Sequence, residues 1–300
     1  MKSLFSNRVA IQTYSVITTE MPKQSAALRM PRRRVLGRLG TLLALGAWPG
    51  ARAAAESTGG QKPGVEAIRF VVTNDFHHQS ADCDPWMSAL FRQIATTEKA
   101  AFCLGLGDLA DQGKRESMEA IKRLSVLAGI PYYPSPGNHD LDQSPVNGFY
   151  EELFPERLNY IVRHAGWQFV IIDTTEGNKY QNVTISKSTL EWLDKTLPTL
   201  DSHAPTVLST HFPLAAEVRM CPLNAEAVLA RFIGHNLRGV FGGHFHGRTS
   251  SPRGDIRLVT NACVSRVRDN HDNTPEKGYL VVNGAPDGKL TDHFVVFKGV

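Results

Sequence analysis

From position 68 onward, short apolar runs alternate with polar or glycine-rich breaks: Ile68 to Asn74, Phe102 to Leu106, Tyr132 to Ser135, Trp167 to Thr174, Thr206 to Thr210 and Gly239 to Phe241. Near-continuous apolar runs of this length are the pattern of strands buried on both faces, as in a parallel sheet. Between them the apolar period lengthens to that of a helix, at Trp86 to Lys99 and Lys114 to Ala128. A third helix runs from Ser186 to Leu197 on Leu190, Trp192, Leu193 and Leu197, and a fourth, capped by Asn224, to about His235. The prolines of Pro131-Tyr-Tyr-Pro-Ser-Pro stop the second helix and start a strand. Arg157 to Arg163 and Trp167 to Thr174 read as an antiparallel pair around His164-Ala165-Gly166, and the tail as strands Ile256 to Asn261, Tyr279 to Asn283 and Thr291 to Phe297. Two βα-rich halves with antiparallel additions predict two packed sheets flanked by helices.

Composition supports one large α/β domain over residues 68–300: of 300 residues 42% are hydrophobic and 21% charged, with no repeat or low-complexity block. The net charge of +4 is unevenly placed. Residues 1–55 hold nine Lys and Arg against one acidic residue, so 24 basic (33 less nine) face 28 acidic (29 less one) in the remainder. The body is mildly acidic, and the pI near 8.9 does not imply a nucleic-acid-binding face.

The basic segment has its own pattern. Pro31-Arg32-Arg33-Arg34-Val35-Leu36 is followed by an apolar run interrupted by Arg38, then by small residues at A-x-A spacing near Ala53 and Ala55. These are the parts of an export signal over residues 1–55, joined by a Gly, Pro and polar linker, 56–67, to the domain. Arg32-Arg33-x-Val35-Leu36 resembles a twin-arginine signal, which implies the twin-arginine export machinery as a partner and a periplasmic or secreted product. A basic amphipathic segment or a one-pass anchor is the alternative; the apolar run is too short to span a bilayer. Residues 1–29 carry no readable pattern, which makes Met30 a candidate start.

The chemistry sits in the polar breaks. The run at Phe102 ends in Gly107-Asp108-Leu-Ala-Asp111, that at Ile68 in Asp75 and His77, that at Tyr132 in Gly137-Asn138-His139-Asp140, that at Thr206 in His211, and that at Gly239 in Gly243-His244-Phe-His246. Open α/β folds bind ligands at the carboxyl ends of their strands. Carboxylates, imidazoles and one amide gathered there read as a metal site. Each motif alone is weak, since an isolated histidine after a strand is usually structural and Gly-Asp is usually a turn.

Together these five blocks, Asp75-x-His77, Gly107-Asp108-x-x-Asp111, Gly137-Asn138-His139-Asp140, His211 and Gly243-His244-x-His246, resemble the calcineurin-like metallophosphoesterases over roughly Ile68 to Phe297. The resemblance implies a four-layer αββα sandwich of two mixed sheets flanked by helices, and two divalent metal ions of the Mn, Fe or Zn kind. Block by block, it gives one metal Asp75, His77, Asp108 and His246 and the other Asp108, Asn138, His211 and His244, with Asp108 bridging. Two such ions roughly 3.5 to 4 Å apart neutralise a phosphoester and acidify a shared water or hydroxide for in-line attack. His139 resembles the family's general acid, with Asp111 as the partner that holds it protonated and Asp140 as a loop support.

Other positions refine the expectation. Asp111 stands where purple acid phosphatases have a tyrosine, and Asp111-Gln112-Gly113 lacks the arginine of protein serine/threonine phosphatases; the resemblance is closer to the bacterial phosphodiesterase branch. His78 is not counted as a ligand and is a candidate to face substrate, while His164, His203, His235 and His293 read as surface or turn residues. Arg266, Arg268, His271, Asp272 and Lys277 read as a solvated loop, with lining of the phosphate pocket as the alternative. Among the cysteines, Cys103 and Cys263 read as buried strand residues and Cys83 with Cys221 as a candidate loop bridge; no C-x-x-C pair suggests a thiolate site. The expected function is thus a phosphodiesterase acting on a small phosphoester. A phosphomonoesterase and a non-catalytic metal-binding relative are the alternatives.

Overall fold

A computed structural model describes residues 64–141 and 148–299. The leader 1–55 and the first part of the linker lie outside the described residues. The last linker residues are fastened to the domain: the Glu66 amide donates to the Ala165 carbonyl at 2.9 Å, and the Glu66 carbonyl accepts from the Trp167 indole at 3.1 Å.

Among the described residues, eleven strands and five α-helices follow in the order β1 (Ile68–Thr73), α1 (Asp84–Gln93), β2 (Cys103–Leu106), α2 (Arg115–Ser125), β3 (Tyr132–Ser135), α3 (Gly148–Leu153), β4 (Tyr160–His164), β5 (Trp167–Ile171), α4 (Lys187–Thr196), β6 (Thr206–Ser209), α5 (Ala225–Arg231), β7 (Leu237–Gly242), β8 (Thr249–Arg253), β9 (Ile256–Thr260), β10 (Lys277–Gly284) and β11 (Leu290–Phe297). One sheet has the order β11-β10-β1-β2-β3 and the other β4-β5-β6-β7-β9-β8. In the first, β1, β2 and β3 are parallel; in the second, β5, β6, β7 and β9 are. Antiparallel partners complete each, so both sheets are mixed.

The period-2 alternation of side chains builds the layers. Phe70 and Val72 of β1, Phe102 just before β2 and Leu104 within it, Trp167, Phe169 and Ile171 of β5, Val207 of β6 and Phe241 of β7 form part of the core between the sheets. Phe70 stacks on Phe102 at 5.3 Å and meets Phe169 and Phe241 edge-on at 5.2 and 6.0 Å, joining the two sheets ring to ring. The opposite faces carry the helices: Val71, Tyr279 and Val281 pack on Met87, Leu90 and Phe91 of α1 and Met118 and Ile121 of α2. Val170, Leu208 and Val240 pack on Leu193 of α4 and Val228 and Leu229 of α5. The four-layer αββα expectation holds.

Several elements differ from the sequence reading. β8 was absent from it: Thr-Ser-Ser-Pro-Arg shows no apolar alternation because it is an exposed edge strand, the one place a sheet tolerates Pro252. α3 was also absent from it. α1 ends at Gln93 and continues as a π-helical turn, Ile94–Glu98, before Lys99 turns left-handed. Ser186 caps α4 as read, accepting from the Thr189 amide at 3.1 Å. Asn224 does not cap α5; its amide instead bridges to the Ile185 backbone, donor and acceptor both at 2.9 Å, and α5 stops at Arg231. All four cysteines are free thiols, so the Cys83–Cys221 bridge does not form. Among the described residues no helix is long and apolar enough to cross a membrane.

Candidate metal centre

The carboxyl ends of β1, β2, β3, β6 and β7 converge on one edge shared by both sheets, and there the chain turns sharply. Asp75, His77, Asp108, His244 and His246 all have positive φ, between 45° and 62°, and make up five of the eleven non-glycine residues with left-handed backbone among the described ones. Such strain is retained where the surroundings over-determine it, typically at functional sites. Two glycines make the close approach feasible. A Cβ at Gly107, itself at φ +78°, would lie 2.4 Å from His211 Nδ1, and one at Gly137 2.2 Å from both the amide nitrogen and Oδ1 of Asp108.

The buried donors Asp75, His77, Asp108 and His246 form one group with ligand atoms within 4.8 Å of one another, and Asp108, His211 and His244 a second. Asn138 Oδ1 joins the second, 3.2 Å from His211 Nε2. Asp108 belongs to both, with Oδ2 3.5 Å from His77 Nε2 and Oδ1 3.4 Å from His211 Nε2.

Hydrogen bonds on the far side of each ring fix which nitrogen faces inward. His211 Nδ1 donates to the Leu106 carbonyl at 2.9 Å and His246 Nδ1 to the Asp269 carbonyl at 3.0 Å, so each turns Nε2 to the centre. His244 Nε2 donates to the Tyr180 carbonyl at 2.7 Å, which leaves Nδ1. His77 Nδ1 donates to Asp111 Oδ1 at 3.1 Å. Its Nε2 then faces His246 Nε2 at 3.1 Å. Two imidazole lone pairs at that separation repel unless a cation lies between them.

Charge tells the same story. Burial pushes the Asp75 carboxyl up, yet His246, His211 and His77 together hold it well below the usual carboxylate range. Burial works against a charged His246, but Asp75 beside it prevails and raises it well above its ordinary value. A positive charge is therefore favoured at this spot, and a divalent cation meets that demand. His77 is lowered by burial, and His244 is pushed down to about 3 by burial and by His211. Both shifts favour the neutral imidazole, the form that binds a metal. Asp75 Oδ1 is buried without a hydrogen-bond partner, 3.2 Å from His246 Nε2. An orphaned carboxylate oxygen among inward-facing nitrogens fits a bound metal, and the N and O donor set suits Mn, Fe or Zn.

A cavity of about 400 Å³ opens over this floor, lined in part by His77, Asp108, His139, His244 and His246. The His139 ring stands edge-on to His77 at 4.8 Å, and its amide donates to Asp108 Oδ1 at 2.9 Å. Asp140 supports the loop as read, accepting from the amides of Ala110 and Gly137; burial and the nearby Asp108 push it up to about 7.

Three expectations meet specific contacts around the cavity. Asp111 gives its close contacts to His77, to Gln79 at 2.8 Å and to Arg268, and stands 3.9 Å from His139. Its nearest imidazole is thus His77, with His139 still within ion-pair distance. His78 does not face the cavity; it is buried and bonds Asp84 at 2.7 Å, fastening the start of α1. The loop after β9 is not merely solvated, since Val267, Arg268, Asp269 and His271 line the cavity and His271 stacks on His246 at 4.8 Å. The sequence offered Arg268 and His271 only as polar residues after a strand. Asn261 went unremarked: it donates to Asn74 at 3.0 Å, which in turn donates to Asp75 at 2.6 Å. Tyr180 and Met220, also on the wall, carried no signal.

An αββα sandwich with His, Asp and Asn donors gathered at the carboxyl edge of both sheets defines a metal-dependent phosphoric ester hydrolase. More particularly, the chain belongs to the calcineurin-like phosphoesterase family, whose profile matches residues 68–248. A 3′,5′-cyclic-nucleotide phosphodiesterase of Nostoc sp. is 26% identical over 160 residues, which are 51% of this chain and 58% of that protein. The matched part thus spans under two thirds of that relative. Purple acid phosphatase from yellow lupin superposes with a TM-score of 0.58 at 15% identity, over 77% of this chain and 52% of that one. GAP50, the anchor in the inner membrane complex of Plasmodium, gives 0.58 at 15% identity over 78% of this chain and 86% of that one. At such identities the superpositions speak for the fold alone.

Proposed function

We propose that this protein is an exported phosphoesterase that hydrolyses a phosphodiester at a pair of divalent cations. The position of Asp108 carries the reading, because its two oxygens address the two donor groups separately, at 3.5 Å from His77 and 3.4 Å from His211. Asp75, His77, Asp108 and His246 would hold one cation, and Asp108, Asn138, His211 and His244 the other. When bound, such a pair neutralises the phosphoryl oxygens and acidifies a water. His139, on the cavity wall with 27% of its side chain exposed, supplies the proton to the leaving oxygen. Asp111 holds the His77 ring in register, and the Tyr180 and Asp269 carbonyls do the same for His244 and His246.

The likeness to the Nostoc enzyme favours a diester over a monoester, and the Arg32-Arg33 motif favours export to the periplasm by the twin-arginine machinery. GAP50 is described as an anchor and shares the fold, so the fold does not exclude a non-catalytic role. The complete donor set favours the enzyme.

The test is an assay of the Mn²⁺-loaded protein on 3′,5′-cyclic nucleotides, bis(p-nitrophenyl) phosphate and p-nitrophenyl phosphate, with metal analysis of variants. Diesters should be turned over; Asp108→Asn should lose both metals together and His246→Ala chiefly one. Two full metals in Asp108→Asn would remove the bridging role. Two bound metals with no turnover of any ester would favour the non-catalytic reading.

A further inference from the structure

Among the described residues, Arg268 is the only Arg or Lys lining the cavity over the candidate metal centre. It is held there from several sides. Its amide donates to Ser265 Oγ at 3.1 Å, and its carbonyl accepts from Lys277 Nζ. Its guanidinium gives Nε, at 2.7 Å, and Nη2 to a single oxygen, Oδ1 of the nearly fully buried Asp111, which also receives His77 Nδ1. Two of the five donors of an arginine are thus committed on one edge. Nη1 has no hydrogen-bond partner among the described residues, and 41% of the side chain is open to solvent. An arginine tethered by one edge, exposed on the other and set in the wall beside His77 and Asp108 is a fixed anion receptor. Planar guanidinium groups are suited to phosphoryl oxygens, and a donor already oriented costs no reorganisation when the ligand arrives.

We propose that Arg268 binds a non-bridging oxygen of the substrate's phosphoryl group through Nη1 and sets the preference of the site for phosphoryl charge. This rests on the phosphoesterase reading and deepens it: the β9–β10 loop, not the family's strand-end ligands, decides how much negative charge the pocket rewards. A dianionic monoester gains more from this arginine than a monoanionic diester. The Arg268 wall therefore extends the site toward phosphomonoesters, and toward inorganic phosphate as product or inhibitor.

Binding of inorganic phosphate to the Mn²⁺-loaded protein, by calorimetry, tests this without any turnover. Arg268→Gln should keep both metals and weaken phosphate about 10- to 100-fold, the worth of one charge-assisted hydrogen bond. Arg268→Lys should recover part of that loss, since it retains the charge without the fork. On esters, Arg268→Gln should lower kcat/KM for p-nitrophenyl phosphate several-fold more than for bis(p-nitrophenyl) phosphate. Unchanged phosphate affinity with both metals retained overturns the proposal. So does loss of a metal, which would make Arg268 a support for Asp111 and His77, and so does an equal loss on the two esters. If the unmodified protein binds phosphate through Arg268 but hydrolyses neither ester, the proposed function fails and the arginine's role stands.

Discussion

At the level of single residues, the candidate metal donors were legible in the sequence because each is delivered by a strand end with a nearby glycine or sharp turn, a pattern visible in one dimension. Which imidazole a carboxylate serves was not. His77 and His139 lie within 4.8 Å of one another, ring to ring, and Asp111 is 3.1 Å from the first and 3.9 Å from the second. The two distances differ by less than an ångström, and no spacing rule reaches that difference. The two variants should now behave differently in kind. His139→Ala should keep both metals and lose roughly 10²- to 10⁴-fold in rate on esters with poor, alkoxide-type leaving groups, the usual worth of a positioned acid. It should lose much less on nitrophenyl esters, whose leaving group needs little protonation. Asp111→Asn should instead lower metal affinity about 10- to 100-fold, the usual effect of removing a carboxylate behind a metal-bound histidine. Metal titration beside rates on both leaving groups separates the two. Retention of full metal affinity in Asp111→Asn would return that residue to His139.

At the level of elements, strands buried on both faces declared themselves as apolar runs, whereas β8, exposed and proline-bearing, and α3, only six residues long, offered neither period. The loops that make the site were legible as glycine-rich breaks, but not the reason for each glycine. Gly137 is needed by contact and Gly129 by conformation. A Cβ at Gly137 would strike Asp108 N and Oδ1 at 2.2 Å, while at Gly129, with φ +66°, it would meet nothing within 4 Å. Gly129→Ala should therefore cost about 1 to 2 kcal/mol of stability, the left-handed backbone penalty, and leave the metals in place. Gly137→Ala should cost about 1 to 3 kcal/mol from overpacking and also displace Asp108 from both donor groups. Thermal unfolding with metal analysis of the two proteins distinguishes them; intact metal content in Gly137→Ala would mean that the β3 loop can give way without moving the bridge.

For the molecule as a whole, the sandwich was readable because two sets of parallel-type strands imply two sheets, and each sheet must cover both faces. The consequence for metal loading was less visible. The donors run from Asp75 to His246 and come from both sheets, which meet through Phe70, Phe102, Phe169 and Phe241. A site assembled from that much of the chain exists only once both sheets are packed, so metal binding and folding are linked. A route that threads an unfolded chain would leave metal acquisition to the compartment beyond the membrane, whereas a route that carries folded proteins allows loading first. The export signal we propose around Arg32 and Arg33 belongs to the second route. Replacing the pair by lysine, Arg32→Lys with Arg33→Lys, keeps charge and length and should strand active, metal-loaded enzyme in the cytoplasm. Fractionation with metal and phosphoesterase assays of each compartment measures it. Undiminished periplasmic activity in the double variant would show that the arginines are not the address, and would return metal loading to the outer compartment.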